Sequence, residues 1–124
     1  SNAVIRRFVP HRLVLAQAAV TVTHAGHGTV TASLAHGVPI VALPNPAADQ
    51  PFLAATIQRL GAGLALDGGA GPDAIRTAVM EVLGEPSYAN AARTLGIKIA
   101  KMPGAAGAAD QLERLAIAPM IAPV

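Results

Sequence analysis

In Val22-Thr23-His24-Ala25-Gly26-His27-Gly28-Thr29 a β-branched stretch is followed directly by two imidazoles, two glycines and a hydroxyl. Those residue types in that order suit the binding of an anion. Gly26 and Gly28 permit positive φ and a close backbone approach, and Thr29 is placed to cap a helix whose periodic apolar residues include Val30, Leu34 and Val38. Strand, glycine loop and helix then aim unpaired backbone N–H groups, and the positive end of the helix dipole, at one spot beyond the strand. A phosphate fits there. The dipole contributes only ~0.3–1 kcal/mol per charge at an exposed site, so His24, His27 and the Thr29 hydroxyl are expected as additional donors. The same residues also read as a plain tight turn with a satisfied histidine. Thr31 stands where the dinucleotide fingerprint wants a third glycine, and no lysine follows as a P-loop requires.

A second polar loop follows. Ile40 to Leu43 is a short apolar run ended by Pro44, Asn45 to Ala48 extends the loop, and Asp49-Gln50 open a helix with Pro51 in its first turn. In a parallel sheet two such loops lie side by side at the carboxyl edge, where open α/β folds bind ligands.

The elements that must position these loops can be read along the chain. Ser1-Asn2-Ala3 looks like the scar of a cleaved expression tag, which leaves 4–117 as one domain and 118–124 as an extended tail with two prolines. Val4 to Val9 reads as a strand stopped by Pro10, and Arg12 to Ala19 as a short helix. Val20 to Thr23 is a buried strand, and Gly37 and Pro39 end the helix that follows it. Pro51 to Leu60 is helical, Gly63 to Leu66 is a strand, and the glycines of Asp67 to Pro72 read as loop flexibility. Asp73 caps a helix to Leu83, Ser87 to Met102 forms another, Gly104 to Gly107 is a break, and Ala108 to Ile117 is the last helix. Strands alternating with helices predict an α/β fold: a Rossmann-like parallel sheet of four strands with helices on both faces and right-handed crossovers.

With both loops in place, the chain resembles a known family. His24-Ala25-Gly26-His27-Gly28-Thr29, then Gly37-Val38-Pro39, Pro44 and Asp49-Gln50, is similar to the donor-binding signature of GT-B-fold glycosyltransferases related to UDP-glucuronosyltransferases, plant glucosyltransferases and bacterial antibiotic glycosyltransferases. The resemblance implies a partial GT-B C-terminal domain that binds a nucleotide-diphosphate sugar. Phe8-Val9-Pro10-His11 is similar to the family's aromatic-x-Pro-Gln segment. By that likeness Phe8 lies against the nucleobase, Val9 bonds it through its backbone, and His11 sits near the ribose or phosphate. His24, Gly26, His27, Gly28 and Thr29 hold the diphosphate, and Asp49 and Gln50 bond the hydroxyls of the transferred sugar. Each role suits its chemistry: an aromatic face for a π-face, N–H groups for a leaving diphosphate, a carboxylate and an amide for paired hydroxyls.

Three positions depart from the family pattern. Phe8 stands where Trp is common, and Pro44 to Asp49 is one residue longer than the commonest spacing. Ala32 replaces a glutamate that bonds ribose hydroxyls in many members, which points to a deoxyribose nucleotide such as a dTDP-sugar over a UDP-sugar. The resemblance covers only the distal part of a two-domain enzyme. It implies inverting, metal-independent transfer to a small-molecule hydroxyl, with acceptor and general base held by an absent N-terminal domain. No catalytic base and no cofactor are therefore assigned here, and this portion alone is expected to be inactive. The alternative is a non-catalytic subunit that binds a nucleotide sugar and works with a partner chain.

Composition excludes other classes. The chain has 124 residues, no cysteine and a formal net charge of +2. Without cysteine there are no disulfides or thiolate metal sites, which fits a cytoplasmic protein. Its 52% hydrophobic residues include no run long enough for a membrane span. Nine scattered basic residues with two Phe, one Tyr and no Trp do not make a nucleic-acid surface. His11, His24, His27 and His36 lack metal-ligand spacing, and His24, His27, Asp49 and Ser33 lack the elbow of a hydrolase triad. A dinucleotide-binding oxidoreductase module needs an acidic residue about 20 positions after the glycines, and Asp49 is roughly there, although it follows the next strand by several residues. An open sheet edge, expected where strands are missing, predicts self-association.

Overall fold

The computed structural model describes residues 2–46 and 48–117. Its elements are α1 (His11–Leu15), β1 (Thr21–Thr23), α2 (His27–Ala35), β2 (Ile40–Ala42), α3 (Gln50–Arg59), β3 (Gly63–Ala65), α4 (Pro72–Gly84), α5 (Pro86–Ala100) and α6 (Gly104–Ile117). The strands pair in parallel in the order β1-β2-β3, with Thr21 opposite Ile40, and Ile40 in turn opposite Gly63. Each crossover is a helix, as parallel pairing requires. All three strands therefore end at one edge of the sheet.

Alternation along β2 divides the interior into two layers. Ile40 and Ala42 point into a cluster with Val30, Leu34, Ala54, Ile57 and Ala92, supplied by α2, α3 and α5. Val41 points to the other face, where it meets Ala78 and Val82 of α4. All three β2 residues are buried, which accounts for its apolar run without polar alternation. The expected Rossmann-like sheet with helices on both faces is thus present.

Helix α2 stops where the sequence places its stop, through a Schellman motif. The Val38 N–H donates to the Ser33 carbonyl and the Gly37 N–H to that of Leu34, with Gly37 at φ +69. Val38 thereby leaves the helix and is buried beyond its end. The fully buried Ser33 donates its hydroxyl hydrogen bond to Oγ1 of Thr21, 3.1 Å away, which fixes α2 on β1.

Several expectations are corrected. Three strands are present among the described residues, not four, because Val4 to Val9 forms none. Val4, Ile5 and Phe8 are exposed, no strand lies beside them, and an extended segment without a ladder partner has no reason to hold a strand conformation. Strand β1 is not fully buried: it is the sheet's edge, and Val22 is 47% exposed. Helix α1 ends at Leu15, well short of Ala19. Helix α4 begins at Pro72 with Gly71 as its N-cap residue, so Asp73 lies in the first turn and does not cap it. The break expected at Gly104 to Gly107 is instead the first turn of α6, whose residues are almost all exposed. The tail from Ala118 to Val124, and Ser1, lie outside the described residues.

Candidate functional site

The glycine loop begins where β1 ends, and its geometry differs from the sequence expectation in one useful way. Neither Gly26 nor Gly28 has positive φ; the residue that does is Ala25, at φ 64 and fully buried. Gly26 is in the extended region (φ −64, ψ 138) and is the N-cap residue of α2. Glycine there permits a close approach. A Cβ on Gly26 would lie 2.6 Å from Nε2 of His24, so the imidazole rests on the face that the missing side chain leaves open. The two residues form one unit: Ala25 turns the chain back, and Gly26 admits the ring of His24.

Helix α2 then starts at His27, earlier than the expected cap at Thr29. No side chain caps it, and no acidic residue occupies its first turn. The first intrahelical bond runs from the Val30 N–H to the Gly26 carbonyl at 3.0 Å, which leaves the N–H groups of His27, Gly28 and Thr29 directed out of the helix end. Gly28 faces open space, with nothing within 4 Å of where a Cβ would stand. His24 and His27 are both exposed beside this end. An uncapped helix start, a neighbouring imidazole and a glycine without obstruction can receive an anion.

Thr29 connects this end to a second group. It is half-buried and lines a cavity of about 380 Å³ together with Val9, His11, Val14, Val22 and Thr23, along the free edge of β1. The structure therefore brings Val9 and His11 to the same hollow as Thr29. Phe8 does not join them: it is 82% exposed and does not line the cavity.

Asp49 and Gln50 start α3 at the same edge of the sheet, one strand further on. Asp49 is exposed and is the N-cap residue, without a side-chain capping bond. Gln50 turns back onto its own loop, where its Oε1 accepts from the Asn45 N–H at 2.9 Å. The two amide hydrogens and the second lone pair of Oε1 remain for a ligand. The segment carrying them is strained at Ala48, whose φ is 57. That left-handed residue lies in the Pro44–Asp49 interval.

The loop after β3 is a neighbour that the sequence did not mark. A cavity of about 420 Å³ lies between Pro44, Pro46 and Pro51 on one side and Leu66 to Gly69 on the other. The Asp67 carboxylate accepts from the Gly69 N–H at 2.8 Å, so this glycine-rich segment is a bonded turn and not a slack linker. The Asp-x-Gly spacing after a strand was the signal available for it. Among the described residues no three His, Cys, Asp or Glu side chains converge to hold a metal ion. No helix among them is long and apolar enough to cross a membrane.

Comparison with known proteins agrees with this architecture. The model of the erythromycin biosynthesis protein CIII-like C-terminal domain matches residues 2–115. The chain belongs to that family. The 10-deoxymethynolide desosaminyltransferase of Streptomyces venezuelae is 36% identical over 110 residues, covering 88% of this chain and 26% of that protein. Among solved structures, the spinosyn forosaminyltransferase SpnP superposes with a TM-score of 0.85 at 29% identity, over 93% of this chain and 31% of that one. The glycosyltransferase VinC, solved in complex with dTDP, gives 0.81 at 30% identity over 88% and 28% respectively. The fold class is thus that of part of a GT-B glycosyltransferase's C-terminal domain. The chain spans about a quarter of the length of the curated relatives it matches.

Proposed function

We infer that this chain is the donor-binding portion of a glycosyltransferase that moves a sugar from a dTDP- or UDP-sugar to a small-molecule hydroxyl. The observation that carries the reading is the uncapped start of α2 beside His24, whose ring is seated on Gly26. In this reading the N–H groups of His27, Gly28 and Thr29, with the His24 imidazole, hold the diphosphate. They matter most as the glycosidic bond breaks, because the leaving nucleotide gains negative charge and these donors already point at it. Val9 and His11, across the shared hollow from Thr29, take the base and ribose. Asp49 and the Gln50 amide face the sugar hydroxyls from the next loop. The acceptor oxygen attacks the anomeric carbon from the side opposite the diphosphate, so configuration inverts. Its proton goes to a base outside this chain, and the transfer needs no metal because the helix end and His24 carry the charge.

Ala32, half-buried in α2, offers no carboxylate to a ribose 2′-hydroxyl. That favours a deoxyribose nucleotide, and the dTDP complex of VinC is in keeping with it. In this reading residues 4–117 supply the donor site, and acceptor selection is not among their roles. Calorimetric titration with dTDP, UDP and NAD tests the reading. Binding of dTDP or UDP that His24→Ala weakens supports it, whereas binding of NAD alone overturns it.

A further inference from the structure

Gly68 sits in the turn after β3 and its φ is not in the left-handed region, so backbone freedom does not explain a glycine there. Contact does. A Cβ at this position would lie 2.2 Å from the Pro44 carbonyl oxygen, 3.2 Å from its carbon and 3.9 Å from the Asn45 nitrogen. These are backbone atoms of the neighbouring loop, which cannot swing aside as a flexible side chain would. The turn that presents Gly68 is held by the Asp67 carboxylate on the Gly69 N–H and by the Ala70 N–H on the Asp67 carbonyl. On the other side of the contact, the Asn45 N–H is the group that Gln50 Oε1 accepts from. Gly68, Pro44, Asn45 and Gln50 therefore form a continuous chain of contacts from one loop to the start of α3.

We propose that Gly68 is a positioning residue for the donor sugar. By letting the β3–α4 turn lie directly on the Pro44 carbonyl, it fixes the height of the β2–α3 loop, and through the Asn45–Gln50 bond it sets the direction of the Gln50 amide. The proposal rests on the reading of Asp49 and Gln50 as sugar ligands. It assigns no contact between Gly68 and the donor. The diphosphate end, on α2 and two strands away, is not part of the chain of contacts.

The test is Gly68→Ala in the 124-residue chain, with Asp67→Ala as a second variant that slackens the same turn without adding atoms, should the first fail to fold. Gly71→Ala, where a Cβ meets nothing within 4 Å, is the control. Two readouts are taken: amide chemical shifts, and affinity for dTDP-glucose against dTDP. The expected result is a shift of the Asn45 amide and the Gln50 side-chain amide with Gly28 and Thr29 unmoved. Affinity for dTDP should be unchanged, and the advantage of dTDP-glucose over dTDP should fall about tenfold, the weight of one misdirected hydrogen bond. Asn45 and Gln50 resonances that stay in place in both variants overturn the coupling. Resonances that move while the sugar advantage persists overturn the positioning role. A wild-type chain that binds dTDP-glucose no better than dTDP rejects the sugar reading itself, and the role with it, while the shifts still decide whether the loops are coupled.

Discussion

Gly26→Ala separates the two jobs that the glycine loop performs. The backbone at Gly26 is extended, at φ −64 and ψ 138, which alanine adopts without strain. Only the new methyl group causes trouble, 2.6 Å from His24 Nε2 and 3.4 Å from two ring carbons. The ring is exposed and can rotate away, so stability should change by no more than about 1 kcal/mol, the scale of one displaced rotamer. Binding should not escape so lightly. A hydrogen bond to a charged group contributes about 1.5–3 kcal/mol, so a diphosphate that loses His24 should bind about 10- to 150-fold more weakly. Calorimetric Kd for dTDP, set against the thermal midpoint, measures both quantities. His24→Ala should weaken binding by a similar factor, and the double variant should cost little more than either alone, as expected for residues acting as a unit. Unchanged dTDP affinity in Gly26→Ala, or additive losses in the double variant, would refute the claim that Gly26 acts by seating His24.

Three further outcomes follow from the same geometry. Gly28→Ala adds helix propensity in the first turn of α2 and meets no protein atom, so the thermal midpoint should hold or rise while dTDP affinity falls; a loss of both would mean that the space is not a ligand's. Ala25→Val puts a β-branched side chain at φ 64 in a fully buried site and should destabilise by about 2–4 kcal/mol in urea unfolding, with a near-neutral result counting against the turn as drawn. Tyr88 donates its hydroxyl hydrogen bond to Glu81 Oε1 at 2.9 Å, joining α5 to α4, and that bond, followed by burial and the charges of Glu81 and Glu85, raises its pKa above the ordinary 10.0. A raised phenol favours folding below pH 10 and loses that contribution as pH climbs through the higher folded value, so Tyr88→Phe should flatten the alkaline decline of the melting temperature.

Much of this architecture was legible because it is written in local patterns. The β-branched run before His24 and the unbroken Ile40 to Leu43 run marked β1 and β2, and Gly37 marked the end of α2 by a motif that needs left-handed backbone. The misreadings have physical causes. Val4 to Val9 has strand propensity, but propensity does not report whether a neighbouring strand is there to pair with. Gly26 and Gly28 suggest conformational freedom by residue type, whereas one makes room for a ring and the other is helical. The positive φ falls on Ala25, which no residue-type rule would select. Gly68 looks like loop flexibility in sequence for the same reason: close packing between two loops leaves no periodic trace. The likeness assigns Val9 and His11 to the nucleoside and Thr29 to the diphosphate; that these residues line one hollow, with Phe8 outside it, depends on how α1 lies along β1, which no local pattern reports.

The most direct test of the donor-site reading is amide chemical-shift mapping of this chain during titration with dTDP. The account predicts saturable shifts concentrated at Gly26 to Thr29, extending to Val9 and His11 along the edge of β1 and sparing the opposite end of the sheet around Pro39. Saturable binding that moves other residues and leaves the start of α2 untouched would contradict it.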